Sequence, residues 1–129
     1  MTTGLVEGLS VVLLLARDTG RTSAFYRDVL GLVLREEEHG GRHKHYGCQL
    51  GTIYFTIQSA ADLAAPDPGR GYDFLQLCFT VSDLDPFIRH LEELKVTPLH
   101  PPQRIENASY TTLLDPDGRH VRVMTPWRR

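Results

Sequence analysis

The chain has few of the features that would place it outside the cytoplasm or on a charged polymer. Only two of its 129 residues are cysteines, Cys48 and Cys78, and they stand far apart with no CxxC spacing. They are expected to be reduced core or pocket thiols rather than a disulfide. The longest apolar run, Val11 to Ala16, falls far short of the ~20 residues that a membrane span requires. The first residues, Met1 to Glu7, carry neither a basic region nor a long apolar core and do not read as a secretory signal. A formal net charge of −2 and a pI near 6.3 give no general attraction to nucleic acid or to an anionic membrane. The single tryptophan, Trp127, lies past the last predicted strand, where packing at a dimer contact is its ordinary role. The expectation is a cytoplasmic protein with no nucleic-acid or membrane partner.

What is present is an ordinary globular composition, 41% hydrophobic and 23% charged, with enough length for one compact domain over residues 1–129. Leu9 to Ala16 reads as a strand, and Arg17-Asp18-Thr19-Gly20 ends it with residues suited to starting a helix. In that helix Phe25, Val29 and Leu30 share a side, and Gly31 can close it in the left-handed conformation. Val33 to Glu38, Lys44 to Leu50 and Thr52 to Gln58 read as three further strands, with turns at His39–Arg42 and Gly51.

A proline- and glycine-rich linker follows, and the pattern then repeats. Phe74 to Val81 is a strand and Ser82-Asp83 a second stop. A helix begins with Asp85 as cap and Pro86 in its first turn, and carries the stripe Phe87, Leu91, Leu94. Thr97 to Pro102 holds three prolines and reads as a loop. A weak strand around Gln103 to Asn107 precedes a hairpin of Tyr110–Leu114 and His120–Thr125. A shift of 65 places Val11 over Gln76 and Asp18 over Asp83; a shift of 68 places Ile53-Tyr54-Phe55 over Val121-Arg122-Val123. The expected fold is α+β: two β-α-β-β-β modules, at about 8–61 and 73–127 with a linker at 62–72, forming an open, curved mixed sheet with a cleft.

Alternation divides each strand into two faces. Leu77, Phe79 and Val81, then Ile53, Phe55 and Ile57, then Val121 and Val123 form an apolar set suited to supporting helices. Gln76, Cys78 and Thr80, Tyr54, Thr56 and Gln58, and His120, Arg122 and Met124 oppose them. On the first strand the corresponding open face is Val11, Leu13 and Leu15, an apolar wall opposite polar anchors, as in a small-molecule cleft.

Ala16-Arg17-Asp18, the run Ser23-Ala24-Phe25-Tyr26-Arg27-Asp28-Val29-Leu30-Gly31-Leu32, the strand Gln76 to Asp83 and the turn Leu114-Asp115-Pro116-Asp117-Gly118 together resemble the vicinal oxygen chelate superfamily. That superfamily contains glyoxalase I, extradiol dioxygenases, fosfomycin-resistance enzymes and bleomycin-binding resistance proteins. The resemblance covers roughly residues 9–126. It implies paired β-α-β-β-β modules, a cleft, and a swapped or side-by-side homodimer. It also implies, in enzymatic members, a divalent metal held by His, Glu or Gln from the outer strands of each module. Carried onto this chain, the metal positions are Val11, Tyr54, Gln76 and Arg122. A valine and an arginine cannot serve there, so no metal and no other cofactor is expected.

The expected ligand-binding set is Val11, Leu13, Tyr54, Thr56, Gln76, Cys78, Tyr110 and Arg122, taking a small organic molecule. Arg122 can hold a carboxylate or phosphate in a bidentate manner, or form a structural ion pair with Glu37 or another acid. His120 is a candidate general acid or base, with a rim position as the plainer reading. His39, His43 and His45 cluster near a turn and read as solvated turn residues, while His90 and His100 read as surface residues of a helix and a loop. The functional expectation is a metal-independent binding protein that sequesters an antibiotic or metabolite. The alternative is a metal-dependent lyase, isomerase or dioxygenase using a set such as His45, Gln76 and His120.

Overall fold

The computed structural model describes residues 4–38, 44–61, 75–105 and 107–126. The turn at His39–Arg42, the linker at 62–72, Phe74, His43 and Trp127 lie outside the described residues. Strand β1 (Val11–Ala16) leads into helix α1 (Thr19–Ala24), which passes without a break into a π turn at Phe25–Val29. Strands β2 (Arg35–Glu37), β3 (His45–Leu50) and β4 (Ile53–Ser59) complete the first unit. The second contains β5 (Leu77–Thr80), α2 (Leu84–Leu94), β6 (Gln103–Ile105), β7 (Ala108–Leu114) and β8 (His120–Met124). Each unit forms its own four-stranded mixed sheet, ordered β1-β4-β3-β2 and β5-β8-β7-β6. The fold is α+β as expected, and the identical strand order in both sheets is the structural form of the repeat.

Both helices start by the same device. The Asp18 carboxylate accepts the Arg21 N–H at 3.1 Å, and the Asp83 carboxylate accepts the Asp85 N–H at 3.2 Å. These are the two aspartates that the shift of 65 superposes. The cap of α2 is therefore Asp83 and not Asp85: Asp83 still has extended backbone (φ −141°), so only its side chain can fold back onto the free amides of the first turn. Gly31 takes the expected left-handed turn at φ 77°, and Lys95 closes α2 in the same region at φ 59°.

The apolar faces of the two sheets converge on one core. Phe55 on β4 and Phe79 on β5 meet edge-on with centroids 5.8 Å apart, and Tyr26 packs against both rings at 5.2 and 6.1 Å. Val121 of β8 joins Leu14, Ala16, Phe55 and Ile57 of the first sheet, while Leu84 and Leu91 of α2 pack with Val29, Leu113 and Val123. The π turn buries both Tyr26 and Val29 while leaving Arg27 and Asp28 exposed. Tyr26, absent from the expected helix stripe, is fully buried.

A buried polar cluster ties the two units together. Tyr26 Oη donates to Asp115 at 2.8 Å, and Thr22 Oγ1 donates to Asp117 at 2.7 Å. Arg119 donates to Asp115 at 2.9 Å, to Asp117 at 3.4 Å and to the Leu15 carbonyl. The Asp117 and Arg119 amides both donate to Asp115 Oδ1 at 2.9 Å, and the half-exposed Arg17 guanidinium reaches Asp117 at 3.5 Å. Two carboxylates thus meet two guanidiniums, the condition under which buried charge is tolerated. Burial, then the adjacent Asp115 charge and the hydrogen bond to it, push the Tyr26 phenol far above its usual range, so it stays a donor.

Candidate functional site

On the second sheet Val121 and Val123 are buried, which turns the intervening Arg122 onto the opposite face. Its backbone partners are Cys78 on β5 and Thr112 on β7. The guanidinium carbon lies 4.1 Å from the centroid of the Tyr110 ring, close enough for a cation–π contact. Tyr110 is held in turn: its hydroxyl donates to Gln103 Oε1 at 2.7 Å, and His100 packs on it edge-to-face at 5.3 Å. The His100 ring sits 2.7 Å from the Pro101 carbonyl through Nδ1 and 2.8 Å from Thr112 Oγ1 through Nε2. Nδ1 thus faces a carbonyl, which only accepts, and Nε2 faces a hydroxyl, which can donate or accept. Arg122, Tyr110, Gln103, His100 and Thr112 form one connected array. Of the two roles weighed for Arg122, the ion pair with Glu37 does not form; Arg122 stacks on an aromatic ring instead.

Glu37 is engaged on the first sheet, where Tyr54 Oη donates to its carboxylate at 2.5 Å. That bond, followed by burial and the Glu37 charge, pushes the Tyr54 phenol up to about 12. Gly47 lies beneath the pair, and a Cβ there would collide with both the Tyr54 hydroxyl and the Glu37 carboxylate. Val11 is the backbone partner of Tyr54, and Leu13 that of Thr56. Val11 and Leu13 are 49% and 42% exposed, so the apolar wall read from alternation is present and open. Thr56 is buried, with its hydroxyl donated to the Tyr46 carbonyl at 3.1 Å.

Seven of the eight expected ligand residues are thus divided between the two sheets, and Gln76, expected within a strand, lies just before β5. Tyr54 lines a groove of about 680 Å³ with Arg35, Glu37, Gly47 and Gln49. Leu13 and His120 share a hollow of about 190 Å³ between β1 and β5. Cys78 borders a mostly apolar hollow of about 350 Å³ lined by Leu30, Leu32, Phe55, Phe79 and Phe87. None of these three includes Val11, Thr56, Gln76, Tyr110 or Arg122. Gln76 and His120 are exposed. Burial raises the thiol of the half-buried Cys48, which keeps it protonated and chemically quiet. Sequence reasoning missed Glu37, Gly47, His100, Gln103 and Thr112 as site residues. For Gln103 and Thr112 a signal existed, because alternation from Tyr110 and Arg122 puts Thr112 on the same face and pairing puts Gln103 beside Tyr110.

The fold and these two faces define an α+β protein built from a repeated β-α-β-β-β unit. Residues 8–123 match the model of the Glyoxalase/Bleomycin resistance protein/Dioxygenase superfamily, and the chain belongs to that superfamily. Among solved structures it resembles a lactoylglutathione lyase from Agrobacterium tumefaciens (22% identity, 93% of this chain and 94% of that one, TM-score 0.70). It also resembles TnmS3, an antibiotic binding protein from Streptomyces sp. CB03234 (16% identity, 96% and 99%, TM-score 0.72). A third is the bleomycin resistance determinant encoded on transposon Tn5 (19% identity, 95% and 100%, TM-score 0.63). A comparison with curated proteins gives no match. At these identities the likenesses establish the fold.

The superfamily's metal positions can be tested against the donors present. Val11 offers none. Tyr54 is a neutral phenol committed to Glu37, Gln76 is a neutral amide, and Arg122 carries a permanent positive charge over Tyr110. A divalent ion requires three or more oxygen, nitrogen or sulfur ligands with lone pairs to give. This set does not fit one. Among the described residues no three His, Cys, Asp or Glu side chains are grouped to hold an ion elsewhere.

Proposed function

We propose that the protein is a metal-independent small-molecule-binding protein of the glyoxalase/bleomycin resistance type, acting in the cytoplasm as a homodimer that sequesters an antibiotic or metabolite. The observation carrying this reading is the donor set at Val11, Tyr54, Gln76 and Arg122. A binding wall can use an aliphatic side chain, a fixed phenol, an amide and a guanidinium, whereas a metal centre cannot. The half-exposed Val11 and Leu13 supply apolar surface, and Arg122 and Tyr110 supply charge and an aromatic face. The likeness to an antibiotic binding protein and to a bleomycin resistance determinant agrees with the reading without selecting a ligand.

The test is elemental analysis of protein purified from metal-supplemented medium, followed by thermal-shift screening of antibiotics and aromatic metabolites with bleomycin included. Metal well below one ion per chain and a melting temperature that rises with at least one compound are expected. One tightly held divalent ion per chain, whose removal abolishes a lyase, isomerase or dioxygenase activity, would refute the reading.

A further inference from the structure

We infer that the Arg122–Tyr110 array is an oxyanion subsite, taking the carboxylate or phosphate group of a ligand; the inference rests on the binding reading above and gives it a chemical class. The first support is an unmet hydrogen bond. Arg122 Nε is buried and has no hydrogen-bond partner. Buried N–H groups are nearly always paired, because leaving one unpaired is costly. The second is charge. The strand neighbours of Arg122 are Cys78 and Thr112, and among the described residues no carboxylate bonds to it. A guanidinium in that position retains its in-plane donors for a planar two-oxygen acceptor.

The third support is rigidity. Arg122 rests on Tyr110, Tyr110 is fixed by Gln103 and His100, and His100 is fixed by Thr112. Each link removes freedom that binding would otherwise have to remove, so the donor is held ready for its acceptor. A purely structural arginine would need no such support on a half-exposed face. The oxyanion is taken at the terminal guanidinium nitrogens; the buried Nε–H reaches it only when the side chain shifts outward, and the body of the ligand lies toward Cys78 and the neighbouring strands.

Nuclear magnetic resonance of the full chain labelled with nitrogen-15 tests this, because the Arg122 Nε–H gives its own resonance. Three probes share one ring and differ in the head group: benzoate, phenyl phosphate and the neutral benzamide. At least one anionic probe is expected to move the Arg122 Nε–H signal and to bind about tenfold more tightly than benzamide, a difference of about 1.4 kcal/mol. Which anion is preferred identifies the carboxylate or the phosphate source. Arg122→Gln should abolish the preference, and Arg122→Lys should retain only part of it, since it keeps charge without the fork. Failure of both anions to bind, equal binding of all three probes, or an anion preference that survives Arg122→Gln would overturn the inference. If benzamide binds as well as the anions, the subsite falls while small-molecule binding stands. Stoichiometric functional metal in the elemental analysis removes the broader reading instead.

Discussion

At the scale of single residues, Arg119 and Tyr54 carry the sharpest expectations. Arg119 is 6% exposed and neutralises Asp115 and Asp117, which are 4% and 8% exposed. Replacing it with methionine keeps much of the volume but leaves two buried carboxylates short of charge, so Arg119→Met should cost about 3–5 kcal/mol. Tyr26→Phe removes one donor from Asp115 and should cost about 1.5–3 kcal/mol. Urea unfolding measures both, and an Arg119→Met loss smaller than that of Tyr26→Phe would show that the cluster does not depend on its guanidinium. Tyr54 gives a pH signature. Its folded-state value is raised from 10.0 to about 12, so the folded state holds the phenolic proton more tightly than the unfolded chain. Its contribution is fully present below pH 10 and is lost as the pH rises toward about 12. The stability gap between wild type and Tyr54→Phe should be flat below that window and shrink across it; a gap unchanged through the window would show that the Glu37 bond does not hold the proton.

At the scale of elements, the two helix ends offer a matched comparison. Gly31 and Lys95 both close a helix at positive φ, 77° and 59°, but only glycine does so without a steric cost. Lys95→Gly should therefore stabilise the protein by up to about 1 kcal/mol, and Gly31→Ala should destabilise it by about 1–2 kcal/mol. Thermal unfolding of the pair checks this, and a Lys95→Gly variant less stable than wild type would locate the strain elsewhere. The closing glycine was readable because a helical stripe followed by Gly has one common structural meaning. The alternating strands were readable for the same kind of reason, since a period of two has one geometry. The π turn was not, because Phe25, Val29 and Leu30 satisfy an ordinary helical stripe; Tyr26 was readable, since Thr22, Tyr26 and Val29 follow the i, i+4, i+7 spacing of one helix face. Thr56 carries the open-face parity and is buried all the same, on a central strand between Leu13 and Gly47 with its hydroxyl donated to the Tyr46 carbonyl. His100 sits among prolines, where no period assigns a face, and its contacts with Thr112 and Tyr110 come from tertiary packing. Glu37 reads from sequence as a candidate partner of Arg122, and its bond to Tyr54 was not legible because it depends on how β2 pairs with β3 and β3 with β4.

At the scale of the whole molecule, the two apolar sheet faces converge on Tyr26, Phe55 and Phe79, while Val11 and Leu13 stay about half exposed on the first sheet and Arg122 and Tyr110 lie on the open face of the second. Of the three hollows described above, the small one shared by Leu13 and His120 touches both open faces, but it includes neither Arg122 nor Tyr110. In the proposed homodimer, a second copy would lie against this first face, so that Val11 and Leu13 serve both the contact and the ligand wall. Burying the remaining surface of two such aliphatic side chains contributes roughly 1 kcal/mol each, half the low-to-middle range for full burial, and a carboxylate in the same place reverses the sign. Sedimentation should give about twice the 14.6 kDa chain mass for wild type. Leu13→Asp should weaken self-association by more than about tenfold while leaving the circular dichroism spectrum of the folded chain intact. Val33 is 78% exposed and outside every strand, so Val33→Asp serves as the control and should leave the mass unchanged. A wild-type protein that sediments as a single chain at micromolar concentration, or a control that dissociates as readily as Leu13→Asp, would remove the second copy from the site and leave each sheet to bind ligand on its own.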